Sequence, residues 1–417
     1  DPLEGLQIMG MLESRNLDFE TVIITSVNEG ILPSGKSNNS FIPFDLKINF
    51  GLPTYKEKDA VYTYHFYHLL QRAKNIYILY NTEPDVLEGG EKSRLIAQLL
   101  TDNTKTDDIT SHVAMPKIEP NEKILDSILK DERLMQLIHQ HAGNGFSPTS
   151  LSNYIRNPID FYKRNLLGIN DTLEVEETIA ANTFGTIVHD TLEELYTPFI
   201  GEVLHQEKLK MAKKNIRNVV KRHFAKSYME GDISTGKNLI AFNVVERYIS
   251  NFIDQEIADA QHHEIKIIGI EQKLSVSLDI PGVTLPVVLK GKLDRVDERD
   301  GQLRIIDYKT GKVESKNVEI VDWESITSDY DCSKAFQLLC YALMYGDENS
   351  FETLESGIIS FKNLNAGLLR FATKPNKGSR TKEYSITTET LSLFKEELSR
   401  LITEICNPDI PLTEKEV

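Results

Sequence analysis

The first hundred residues alternate short apolar runs with helix-like patterns. "TVIITSV" reads as a strand, "DAVYTYHFYHLLQRA" as a helix and "NIYILYN" as a second strand, which predicts a small α/β unit. Residues 101–120 are polar and contain proline, as a linker does, and "NEKILDSILKDERLMQLIHQH" has the periodicity of a bridging amphipathic helix. After a second break at "AGNGFSPTS", helical patterns dominate to about residue 263. Strand-like runs follow: "HHEIKIIGIEQKLSVSLDI", then "LPVVLKGKLDRVDERDGQLRIIDYKTGK". "DCSKAFQLLCYALMYG" is helical again, and "ESGIISFKN" is one more strand. The division expected is a unit over 1–105, a linker and bridging helix over 106–145, and a larger domain over 146–417.

Composition narrows the possibilities. At 417 residues the chain is too long for one ordinary core. Its first residue, Asp1, suggests a piece of a longer protein. No apolar run approaches a membrane span, and three cysteines (Cys332, Cys340, Cys406) make neither a disulfide framework nor a four-ligand metal site, so a reducing cytoplasm is expected. The net charge of −16 argues against nucleic acid only as an average, because local distribution decides binding. Lys208–Lys226 is a strongly basic helix candidate, and Lys362–Lys382 carries basic charges alone. Each is either a solvated face or a surface for phosphates.

"GILPSGKS", Gly30 to Ser37, fits the phosphate-loop pattern at every specified position. Such a loop needs a helix whose N-terminus meets the phosphates. Here Asn38, Asn39 and Ser40 favour turns, Pro43 would break a new helix, and Pro33 removes an N–H from the cradle. No ATP is expected to bind at this stretch.

The informative segment is "GKLDRVDERDGQLRIIDYKTGK". Asp300-Gly301 is a preferred two-residue hairpin turn, because both central residues need positive φ. With that turn Arg299 faces Gln302, and Asp294 falls opposite Asp307. Alternation puts Lys309 on the face of Asp307 and points Tyr308 away. Like charges directly opposed destabilise a sheet. A divalent cation between them removes the conflict, since Mg²⁺ takes carboxylate oxygens and keeps water positions open. Two aspartates, a lysine and a metal suit phosphodiester hydrolysis, while a surface hairpin with solvated charges is the plainer alternative.

These residues resemble the PD-(D/E)xK nuclease core in its RecB-like form, "GKLDRVD" followed by "IIDYKTG", with Leu293 where proline is common. The resemblance extends over most of residues 146–417. It implies a restriction-endonuclease-like α/β fold, a mixed sheet flanked by helices. "SPTSLSNYIRNPIDFY" is similar to the family's opening helix, and "FGTIVHDTLEELY" to the helix whose histidine, here His189, is a metal ligand. Glu271 in "IGIEQKL" stands where relatives carry a glutamate, although an exposed strand glutamate needs no such role. Gln337 and Tyr341 match the Q-x-x-x-Y pair, with core packing as the other explanation. The resemblance thus implies His189, Asp294 and Asp307 as ligands of Mg²⁺ or Mn²⁺, with Glu271 as a possible addition, and Lys309, Gln337 and Tyr341 beside them. Relatives of the AddB type hold an iron–sulfur cluster begun by a cysteine before proline; Asn157-Pro158 stands there instead, so no cluster is expected.

Residues 1–105 are similar to the late motifs of superfamily 1 helicases in degenerate form. "NEGILP" would be a loop of that domain, and Arg72 would hold the position that senses a γ-phosphate. The whole implies the C-terminal part of a helicase–nuclease, an exonuclease acting on DNA in break repair. Its partner would be a helicase subunit or the missing N-terminal helicase region, with no membrane involved. The alternative is a catalytically silent scaffold that binds DNA or a helicase.

Overall fold

A computed structural model of the chain describes residues 5–34, 42–82, 91–101, 108–115, 125–169, 179–228 and 235–415. Contacts divide the chain into two units, Asp1–Asn121 and Glu122–Val417. Among the described residues no helix is long and apolar enough to cross a membrane.

In the first unit the order is β1 (Thr21–Ile24), α1 (Phe44–Asn49), α2 (Tyr55–Gln71), β2 (Asn75–Ile78) and α3 (Arg94–Thr101). β1 and β2 pair in parallel, with Thr21 beside Asn75. A parallel pair needs a long crossover, and α2, begun by a capping box of Thr54 and Glu57, supplies it. Val22 and Ile24 turn inward onto Phe66, Leu95 and Ile96. On the opposite face Ile23 and Tyr77 remain exposed. Arg72 is also exposed, and its Nη1 donates to Asp18 Oδ2 at 2.6 Å. Of the phosphate-loop match, Ser34 is described while Gly35, Lys36 and Ser37 lie outside the described residues; α1 begins directly after Pro43.

The second unit opens with β3 (Ser127–Ile128), α4 (Glu132–Asn144), α5 (Pro148–Arg156) and α6 (Pro158–Phe161). α4 is shorter than the periodicity predicts. Asp131 Oδ1 accepts from Leu134 N at 2.7 Å and starts the helix there, while Ser127 and Ile128 pair with a strand near the C-terminus. Asn157 ends α5 and caps α6, its Oδ1 accepting from Ile159 N at 3.0 Å. Next come α7 (Ala181–Tyr196), α8 (Gln206–Ser227) and α9 (Gly236–Asp259). The long strands β4 (Ile265–Leu278), β5 (Val287–Arg299) and β6 (Gln302–Lys309) follow. The chain continues through β7 (Glu319–Ile320), α10 (Ser325–Ser328), α11 (Ser333–Glu348), β8 (Leu354–Ser360), β9 (Leu368–Arg370), β10 (Ala372–Thr373), α12 (Thr388–Cys406) and β11 (Leu412–Thr413).

Five strands form one sheet in the order β4-β5-β6-β8-β9. It is mixed: β6 and β8 run parallel, and every other neighbouring pair is antiparallel. This is the mixed sheet flanked by helices that the restriction-endonuclease-like fold requires. One face packs Leu293, Val296 and Ile305 against α4, α5, α11 and α12. The other packs Ile306 and Tyr308 against α7, α8 and α9.

Buried charge pins the central hairpin. Asp297, fully buried, accepts two hydrogen bonds from Arg304 at 2.7 and 2.9 Å and lies 2.5 Å from Arg295 Nη2. Arg295, equally buried, donates through Nη1 to Glu256 Oε2 at 2.7 Å, which ties β5 to α9. Removing one member of such a set leaves an uncompensated buried charge. Asp297→Ala is therefore expected to destabilise the second unit by about 3–5 kcal/mol, measured by urea unfolding. A loss below about 1 kcal/mol would show that water reaches the two arginines.

Candidate active site

The turn behaves as its sequence demands. Asp300 and Gly301 have φ of 51° and 83°, and Arg299 pairs with Gln302. The ladder continues through Asp297 with Arg304 to Arg295 with Ile306. One step further in the same register are Asp294 and Asp307. There the ladder gives way to side-chain bonding: Tyr308 N donates to Asp294 Oδ2 at 2.7 Å. One oxygen of Asp294 is thus anchored on backbone, and Oδ1 lies 3.4 Å from His189 Nδ1.

Glu271 reaches the same place from β4. Ile270 pairs with Arg295 and Gln272 with Leu293, so Glu271 sits level with Asp294. Its φ is +51°, an uncommon conformation for a residue inside a strand. Backbone strain of this kind collects at functional sites, where surrounding structure holds it. Glu271 Oε1 lies 3.6 Å from His189 Nδ1, and Oε2 lies 2.5 Å from Lys292 Nζ. Three adjacent strands thus present Glu271, Asp294 and Asp307 side by side, and His189 closes over the first two from α7.

Asp307 is turned toward α11. Its Oδ1 accepts from Lys309 Nζ at 3.1 Å and Gln337 Nε2 at 3.2 Å, and its Oδ2 lies 2.9 Å from Lys309 Nζ. Gln337 Nε2 also donates to Tyr341 Oη at 2.6 Å, so both amide protons are engaged and the Tyr341 hydroxyl proton stays free to donate. Gly291 makes room for this helix. A Cβ there would meet Met344 Cε at 2.6 Å and Tyr341 Cε1 at 3.3 Å.

All seven residues singled out in the sequence therefore gather in one place. His189, Glu271 and Asp294 can bring one ligand atom each within 4.8 Å of one another. Two carboxylates and an imidazole suit a divalent cation that accepts oxygen and nitrogen, such as Mn²⁺, or Mg²⁺ if the carboxylates dominate. Lys292, which the sequence reading passed over, belongs to the group. It lies two residues before Asp294, and its pairing with Glu271 depends on a β4–β5 register that no short turn sets.

The charges are mutually adjusted. Burial disfavours the charged His189, but the carboxylates of Asp294 and Glu271 outweigh burial and push its pKa up to about 10. Burial raises Asp307 to about 6, against the pull of the Lys309 ammonium. Burial works against the charged Lys309 and Lys292 as well, yet Asp307 and Glu271 respectively hold their pKa values up.

The basic helix α8 is largely neutralised within the unit. Lys213 and Arg217 each lie 2.6 Å from a carboxylate on α9, Asp254 and Glu246, and Arg222 pairs with Glu194 of α7. The solvated-face alternative fits this helix better than a phosphate-binding one.

Residues 145–416 match the sequence profile of the PD-(D/E)XK nuclease superfamily. An uncharacterized protein of Rickettsia typhi is 24% identical over 269 residues, covering 59% of this chain and 27% of the relative. One of Rickettsia bellii is 23% identical over 281 residues, covering 64% and 30%. The chain thus spans less than a third of the length of these relatives.

A cation held by His189 must displace the proton that the carboxylates keep there. Metal affinity is expected to rise with pH, about tenfold per unit between pH 6 and 8. Calorimetry with Mn²⁺ at pH 7.5, in buffers of different ionisation enthalpy, should show about one proton released per ion, and almost none for His189→Asn. The sign is reversed for folding without metal. His189 adds stability that is complete below its ordinary value of 6.5 and is lost as pH rises through about 10. Binding without proton release would remove His189 from the ligand set.

Proposed function

The chain belongs to the PD-(D/E)XK nuclease superfamily, and from that premise we propose that its second unit is a metal-dependent DNA exonuclease within a helicase–nuclease of DNA break repair. The observation that carries this reading is the meeting of Glu271, Asp294 and Asp307 on three adjacent strands beside Lys309. PD-(D/E)XK nucleases typically use Mg²⁺ or Mn²⁺. Here His189, Glu271, Asp294 and Asp307 would hold the ion. When bound, it supplies Lewis acidity to the phosphoryl oxygen and lowers the pKa of water.

The chain's own groups divide the remaining work. Tyr308 N–H fixes one oxygen of Asp294, so that carboxylate does not swing when the substrate's negative charge arrives. Gln337 fixes Asp307 in the same way and takes its orientation from Tyr341. Lys309 is about one-third exposed, which lets its ammonium leave Asp307 for a non-bridging phosphoryl oxygen as charge develops there. Lys292, nearly half exposed, has the same freedom on the Glu271 side.

The helicase part of the proposal draws on the sheet of the first unit. A parallel pair joined by a helical crossover belongs in a larger sheet covered on both faces, and Ile23 and Tyr77 on its outer face fit such a covering. The remainder would come from the N-terminal helicase region or a helicase subunit.

End-labelled linear and circular DNA, incubated with the chain and Mg²⁺ or Mn²⁺, tests the reading. Linear DNA should be degraded and circles spared, and chelation should stop the reaction. Asp307→Asn should lower the rate by at least about a thousandfold (roughly 4 kcal/mol of barrier). It should leave the metal-free protein as stable or slightly more so, because the buried carboxylate is itself disfavoured. It should also abolish the rise in Tm that metal gives the parent. Cutting of circles as fast as linear DNA would make the enzyme an endonuclease. Absence of cleavage with either ion would favour the silent scaffold.

A further inference from the structure

The chain's single tryptophan, Trp323, follows β7 by three residues. After Lys309 the backbone passes the end of β8, where Val313 N donates to Ser360 Oγ and Asn363 Nδ2 to Val313 O. It then joins β10 as β7, with Ile320 beside Thr373. Between β7 and the turn after β10 lies a notch of about 260 Å³. Ile320, Trp323 and Pro375 give it apolar walls, and Lys374, Thr381 and Glu383 give it a polar rim.

The turn over the notch is cationic. Residues 362–382 contain six Lys and Arg and no Asp or Glu, in a chain whose net charge is −16. Two of the six are structural: Lys374 and Lys382 both pair with Glu319 and clamp the two stems of the turn. Arg370 is also engaged, by Glu355 at 2.7 Å and the ring of Tyr384 at 4.0 Å. Lys377 and Arg380 at the tip are exposed, and among the described residues neither has a carboxylate partner. A braced turn that carries two free cations and borders a notch walled by an indole fits a strand whose phosphates are accessible and whose bases are unpaired. Every base has a face to stack, and duplex DNA keeps those faces covered.

We propose that this notch binds single-stranded DNA, one base stacking on Trp323 while the neighbouring phosphates meet Lys377 and Arg380. The proposal rests on the nuclease reading for its substrate and adds that the strand is held single on the flank of the catalytic sheet.

The sole tryptophan is its own probe. With EDTA present, titration of the 417-residue chain with a 12-nucleotide single strand should quench the fluorescence saturably, and the matching duplex should bind at least tenfold more weakly. Lys377→Ala/Arg380→Ala, two exposed changes, should lower the slope of log K against log[salt] by roughly 1.4, or 0.7 per phosphate contact. Trp323→Leu, followed by anisotropy of a labelled strand, should weaken binding about tenfold. Absence of quenching, equal quenching by duplex, or an unchanged slope would overturn the proposal. Since no cleavage is needed, the two readings fail separately. Cleavage without quenching removes the notch alone, and quenching without cleavage removes the nuclease alone.

Discussion

Three carboxylates on three neighbouring strands repel one another, and the second unit is arranged around that repulsion. Each acid meets a cation or a fixed dipole at short range. Glu271 meets Lys292 at 2.5 Å, Asp307 meets Lys309 at 2.9 Å, and Asp294 takes Tyr308 N–H and His189. In a sheet interior a bare carboxylate would neutralise itself by taking up a proton. Asp307, raised to about 6, shows the beginning of that response. On the nuclease reading proposed above, binding of a divalent ion would exchange one set of positive charges for another, and Lys292 and Lys309 would be the charges set free to meet a phosphate.

Behind the site the same problem is solved permanently. Arg295, Asp297, Arg304 and Glu256 are buried and bonded to one another, with the rings of Tyr196 and Tyr308 beside Arg295. Arg295 follows Asp294 directly in sequence, so the rigid pairing of one side chain fixes the backbone that presents the next. The two adjacent residues divide the work. One is held by a closed set of buried charges, and the other, buried as well, turns its carboxylate toward His189.

The hairpin could be read from the sequence because its register rests on local chemistry. Asp300-Gly301 permits one tight turn, and the pairing out to Arg295 and Ile306 follows from it. Residues on single helices were equally legible, since Gln337 and Tyr341 are neighbours at i,i+4 whatever surrounds them. Glu271 was not. The β4–β5 connection runs from Asp279 to Pro286, the register shifts between Ile267 and Gly269, and the φ of +51° leaves no trace in residue type. The basic helix stayed open between two readings for a related reason. Its cations are matched by acids 28 to 41 residues away, a pairing that only the packing of α7, α8 and α9 creates.

The site also lies where the two hydrophobic layers of the fold meet. Leu293, Val296 and Ile305 belong to the layer of α4, α5, α11 and α12, while Ile306 and Tyr308 belong to the layer of α7–α9. Asp294 and Asp307 stand among these residues, so helices from both layers can reach them. His189 comes from one side and Gln337 with Tyr341 from the other. A site built on one face of a sheet would draw its groups from one layer and could be shifted by movement of a single helix. Here the placement of the three carboxylates is set by three strands, and each helix adds one correction to it. Displacing α7 would cost the imidazole but leave the carboxylates in register. Displacing α11 would free Asp307 to turn but leave Asp294 and Glu271 in place. The sheet therefore carries the geometry of the chemistry, and the helices adjust its charge.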